Sequence, residues 1–123
     1  MAYGDFSLSL LLQKFNLQLE TSQDYFVRSA SVTLEGAFLA RLKRHAALAV
    51  AISTEKARSE FIIAPLLLEV FERTDQPVRF FSGVELNPAP ELGLCGFCDF
   101  LYSLSSSQML ITAPFVAICY RKK

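Results

Sequence analysis

Ser53-Thr54-Glu55-Lys56-Ala57-Arg58-Ser59-Glu60-Phe61-Ile62-Ile63-Ala64-Pro65-Leu66-Leu67-Leu68-Glu69 is the stretch on which the fold turns. Ser53 and Thr54 interrupt the apolar periodicity before them and offer a cap for a helix over residues 55–72. Phe61, Ile62, Ala64, Leu67, Leu68 and Phe71 form its apolar side, and Ile63, Leu66 and Val70 widen it. A helix apolar on most sides after Phe61 is expected at the centre of a fold. Pro65 lacks an N–H, and its ring crowds the carbonyl four residues back, which predicts a kink. Glu60 stands one turn before that kink, at the edge of the buried face.

Upstream, residues 33–52 form a helix whose broad face carries Leu34, Phe38, Leu42, His45, Leu48, Ala49 and Ile52. The alanine-rich half, Ala46 to Ala51, permits a neighbouring helix to come close. His45 on that face is read as a partly buried structural histidine. Residues 5–15 set Leu8, Leu11, Leu12 and Phe15 on one helical side, with Asp5 as the cap. Residues 16–20 alternate polar and apolar, over too short a run to define a strand.

Downstream the pattern changes to strands. Residues 78–81 begin the first, 97–104 form the second and 109–120 the third. Asn87-Pro88-Ala89-Pro90 reads as a loop, because each proline turns its predecessor away from helix. Gly93 and Gly96 mark a turn or a close backbone approach. Pro114 is expected at a bulge or an edge. Phe115 to Tyr120 lacks polar alternation, as a strand buried on both faces would. Helices followed by strands define an α/β chain.

The chain has 123 residues, the size of a single domain spanning 1–123. Its 52% apolar content suits a packed core and excludes a disordered chain. Twelve basic and twelve acidic side chains cancel, so no global field draws it to nucleic acid. Arg41-Leu42-Lys43-Arg44 and Arg121-Lys122-Lys123 are local basic patches, read first as solvated surface. Three cysteines exclude a fully paired framework. Cys95 and Cys98 have the spacing of metal or redox pairs, but zinc would need Cys119 and His45 as well. They are read as buried or half-buried thiols in a reducing compartment. With no secretory pattern and no apolar run long enough to span a bilayer, the expected location is the cytoplasm.

Asp99 stands in the second strand, and Tyr120 and Lys122 lie two apart at the end of the third, on one strand face. If these strands pair as neighbours, those positions approach one another, and Glu60 can reach the same region from its helix. Hard oxygen ligands of this kind suit Mg²⁺ or Mn²⁺, which activates water and offsets phosphate charge. The plainer alternative makes Asp99 a turn residue, Lys122 a solvated tail and Glu60 the i+4 partner of Lys56.

The quoted helix, then Phe81-Ser82-Gly83-Val84-Glu85-Leu86-Asn87, Gly93-Leu94-Cys95-Gly96-Phe97-Cys98-Asp99-Phe100 and Ala113-Pro114-Phe115-Val116-Ala117-Ile118, together resemble a group of cyanobacterial proteins. That group is similar to the PD-(D/E)XK, restriction-endonuclease-like superfamily, including the nuclease part of type I restriction subunits. The resemblance implies a restriction-endonuclease-like core: N-terminal helices, then a mixed three-stranded sheet. It implies metal ligands at Glu60 and Asp99, Mg²⁺ or Mn²⁺ as cofactor, and Lys122 with Asp99 as catalytic residues. The Glu of the Glu-x-Lys motif falls on Tyr120, which is neutral near pH 7 and supplies no such charge. The superfamily's next helix and strand would follow Lys123, so the resemblance implies a core shortened there. A gene disruption and a naturally shortened member both fit.

Three functions follow as expectations. The first is a shortened nuclease-like protein with impaired or lost catalysis that forms a homo-oligomer. The second is a divalent-metal-dependent DNA phosphodiesterase with a substitute ligand, such as Glu85 or a residue of another subunit. The third is a nucleic-acid-binding module without catalysis, using Lys122, Lys123 and the Arg41–Arg44 patch.

Overall fold

The computed structural model describes residues 2–22, 31–111 and 114–118, the last four of these by backbone only. The described residues group into two compact units, one within 34–84 and 97–118, the other within 2–33 and 85–96.

In the first unit, α2 (Gly36–Ile52) buries Phe38 and Ala49 and packs against α3 (Glu55–Arg58) and the turn after it. It begins three residues later than the periodicity predicts. Ser53 ends it in the left-handed region (φ 59°), its N–H donating to the Ala49 carbonyl. Thr54 then caps α3, its hydroxyl accepting the Ala57 N–H at 3.1 Å, as the sequence predicts. His45 is half-buried, its ring 6.4 Å from that of Phe61. Arg41, Lys43 and Arg44 are exposed, and the Arg41 guanidinium lies 5.8 Å from the Phe38 ring centre.

The single helix expected over 55–72 is three pieces. After α3 comes a π turn, Ser59–Ile63, and then α4, Ala64–Arg73. The π turn is closed by the Ala64 N–H donating to the Ser59 carbonyl, five residues back. The proline irregularity is therefore a widened turn just ahead of Pro65. Nor is α4 a central helix: none of its residues is fully buried, and Leu68 and Val70 are 44% and 57% exposed. Its Leu67 and Phe71 meet a small sheet, while Leu68 and Val70 stay in solvent.

That sheet has the order β1-β2-β3, with β1 at Arg79–Glu85, β2 at Phe97–Ser103 and β3 at Pro114–Ile118. β2 and β3 are antiparallel, with Phe100 opposite Ile118 and Tyr102 opposite Val116. The expected mixed sheet gives way to a small antiparallel one. Parallel neighbours need a long crossover, which the connections at 86–96 and 104–113 are too short to provide. The register slips at Ser103, which pairs with Pro114, the bulge and end position its missing N–H demands. β2 is the middle strand: Cys98, Phe100 and Tyr102 are buried on one face and Leu101 and Ser103 on the other. The both-faced burial expected of 115–120 falls outside the described side chains.

Phe80 ties helix to sheet. Its ring lies 6.1 Å from Phe71 of α4, stacks on Phe100 at 6.1 Å and tilts against Tyr102 at 5.1 Å. Tyr102 donates its hydroxyl to the Leu67 carbonyl of α4. The Gln108 side-chain amide donates to the Phe80 carbonyl at 2.6 Å.

In the second unit, Ser7 rather than Asp5 caps α1 (Leu8–Lys14), accepting the Leu10 N–H at 3.2 Å. Asp5 instead accepts the Ala2 N–H at 2.7 Å in the 3-10 turn Tyr3–Asp5. Residues 17–20 form no strand, and Leu17 and Leu19 are exposed. Lys14 lies over the Phe6 ring at 5.2 Å and donates to the Leu92 carbonyl at 2.6 Å. Gly93 turns the chain at φ 85°. Gly96 lets the backbone pass the Tyr3 ring, which an added Cβ would meet at 3.1 Å. Both glycines do what their spacing predicts. Cys95 is half-buried. Among the described residues no helix is long and apolar enough to cross a membrane.

Burial raises the Tyr102 phenol above its ordinary pKa. A raised folded-state pKa adds stability that is fully present below the unfolded value, about 10, and lost as pH rises through the folded value. Tyr102→Phe is expected to cost about 1 kcal/mol in urea unfolding at pH 8, through the lost hydrogen bond to Leu67. The gap between wild type and variant narrows above about pH 10; a gap constant with pH would contradict the assignment.

Candidate functional site

The helical segment and the sheet of the first unit enclose an open cleft of about 520 Å³. Glu55 and Lys56 of α3, Ser59 and Glu60 of the π turn and Ala64 of α4 line one side. Ser82 and Gly83 of β1 and Asp99 and Phe100 of β2 line the other. Two of the residues singled out from sequence, Glu60 and Asp99, thus meet in one cleft.

Each is placed by its neighbours. Asp99 is half-buried between Cys98 and Phe100, both buried, so the strand that carries it is held through its flanking side chains. Glu60 is exposed in the π turn, and its carboxylate lies 3.7 Å from the Lys56 ammonium. The i,i+4 pair anticipated from sequence is therefore present. Gly83 has φ +63°, and nothing lies within 4 Å of where a Cβ would sit, so the cleft floor is open there.

Tyr120 and Lys122 lie outside the described residues. Glu85 is exposed at the end of β1, where its carboxylate accepts from the Asn87 side-chain amide at 3.4 Å. Lys56 is foreseen from sequence only as the i,i+4 partner of Glu60, and Glu55, Ser59 and Ser82 are not singled out. Residues 55 and 59 are themselves four apart on one helix row.

The cleft's carboxylates are the hard oxygen donors that Mg²⁺ or Mn²⁺ takes. Their number and spacing fall short. Among the described residues no three His, Cys, Asp or Glu side chains are grouped closely enough to hold one ion. Glu60 and Asp99 amount to part of a donor set, and Lys56 places a cation beside it.

No protein-family model, curated protein or solved structure matches this chain.

The Lys56–Glu60 pair is solvent-exposed, with side chains 81% and 55% accessible. Such pairs contribute little, so Lys56→Ala is expected to change unfolding stability by less than about 0.5 kcal/mol. A larger loss in chemical denaturation would mean that Lys56 holds the cleft together as well as lining it.

Proposed function

We propose that this protein is a nuclease-like domain that does not cleave DNA efficiently by itself and acts through self-association. The observation that carries the reading is the meeting of Glu60 and Asp99 in one cleft. The order of elements, helices first and then the strand bearing Asp99, is consistent with the superfamily resemblance. Loss of catalysis rests on Tyr120, a neutral side chain where the resemblance expects a glutamate ligand. Two carboxylates without the third attract a divalent cation weakly and leave its water poorly activated. Self-association is supported by the apolar side chains α2 leaves in solvent, Leu39 and Val50 on one flank and Leu48 and Ile52 on the other.

The cleft also supports a second reading, a divalent-metal-dependent DNA phosphodiesterase. Glu55 and Lys56 give it a further carboxylate and an ammonium within the same walls. Tyr120, Lys122 or a residue of another copy would have to complete that site.

One assay separates the two. Purified protein incubated with Mn²⁺ and DNA of varied ends and structures is expected to leave the DNA intact, with Asp99→Ala indistinguishable from wild type. Robust Mn²⁺-dependent cleavage that Asp99→Ala abolishes would overturn the proposal and establish the phosphodiesterase.

A further inference from the structure

Pro65 does more than interrupt a helix. In an uninterrupted α-helix each residue advances by about 100°, so residues five apart sit about 140° from one another and residues nine apart about 180°. Ser59 and Ala64 are five apart, and Glu55 and Ala64 nine, yet all three line the same cleft. The π turn supplies the difference. Its Ala64-to-Ser59 hydrogen bond stacks those two residues and carries Glu55 round with them. Glu60, four residues before Ala64, would lie near the cleft face in either geometry. The π turn therefore selects which residues join Glu60 there.

The cause lies one residue after the turn. An α-helix here would direct the residue 65 N–H at the Phe61 carbonyl, but Pro65 has no N–H and its ring occupies that space. Opening the preceding turn relieves the crowding, because the Ala64 N–H then bonds five residues back.

We propose that Pro65 is a positioning residue: by enforcing the π turn at Ser59–Ile63 it brings Glu55 and Ser59 into the cleft beside Glu60 and Asp99. The cleft it serves is the one read above as an impaired nuclease site, but the positioning is measurable without any function. Pro65→Ala restores the N–H and removes the ring. The expected result is loss of the through-hydrogen-bond scalar coupling between the Ala64 nitrogen and the Ser59 carbonyl carbon, replaced by coupling to Glu60. The amide resonances of Ser82, Gly83, Asp99 and Phe100 shift with it.

A second variant keeps the α-helical bonding and restores the phase: Pro65→Ala combined with deletion of Ile62. Removing one residue turns the preceding segment back by about 100°, so the strand amides return toward their wild-type positions. A merely structural role for Pro65 predicts no such recovery. Persistence of the Ala64-to-Ser59 coupling in Pro65→Ala would overturn the proposal. So would strand amides that do not move in that variant, or that do not return in the deletion. Cleavage of DNA by the wild type would sink the impaired-nuclease reading alone and leave these couplings to decide the role of Pro65.

Discussion

One missing hydrogen governs the helical side of the cleft. Pro65 cannot donate to the carbonyl a turn before it, and the helical segment answers with the π turn Ser59–Ile63. That turn fixes the rotational phase between α3 and α4. α4 must keep its apolar side on the sheet, so the phase is expressed in α3, which presents Glu55 and Lys56 to the cleft. A backbone constraint at an apolar position thus decides which charged side chains share the cleft with Asp99.

The other side of the cleft is held by side-chain packing. Phe80 meets Phe71, Phe100 and Tyr102, and Tyr102 donates to the Leu67 carbonyl, so aromatic contacts and a hydrogen bond tie α4 to the paired strands β1 and β2. Aromatic pairs of this kind add to what their buried area supplies. Asp99 is carried on the same strand as two members of that cluster, half-buried between the buried Cys98 and Phe100. Glu60 lacks such a support. It is exposed, and its ion pair is with the accessible Lys56.

Much of this was legible in the sequence where a residue has one conformational answer. Thr54 as a cap, Pro114 at a bulge, and Gly93 and Gly96 at a turn and a close approach follow from chemistry that few other residues supply. Ser7 and Asp5 stand two residues apart and both can cap, so spacing did not separate them, and the 3-10 turn claimed Asp5. The central placement of α4 failed because apolar content was read without knowing how small the sheet beneath it is. Glu60 and Asp99 were named because their residue types suggested ligands. Glu55 and Ser59 were overlooked because a straight helical wheel turns them away from Ala64, and only the π turn brings them back. The antiparallel pairing was set by connection length, which the nuclease resemblance overrode in the reading of a mixed sheet.

The central claim is that Glu60 and Asp99 together form one incomplete cation site. Paramagnetic broadening of the amide spectrum by added Mn²⁺ tests it most directly. The account predicts that the amides of Ser59 and Glu60 and those of Asp99 and Phe100 broaden over the same Mn²⁺ range. That range is millimolar rather than micromolar, and both sets recover together in Asp99→Ala. Broadening confined to the helical side, or saturation at micromolar Mn²⁺, would contradict it.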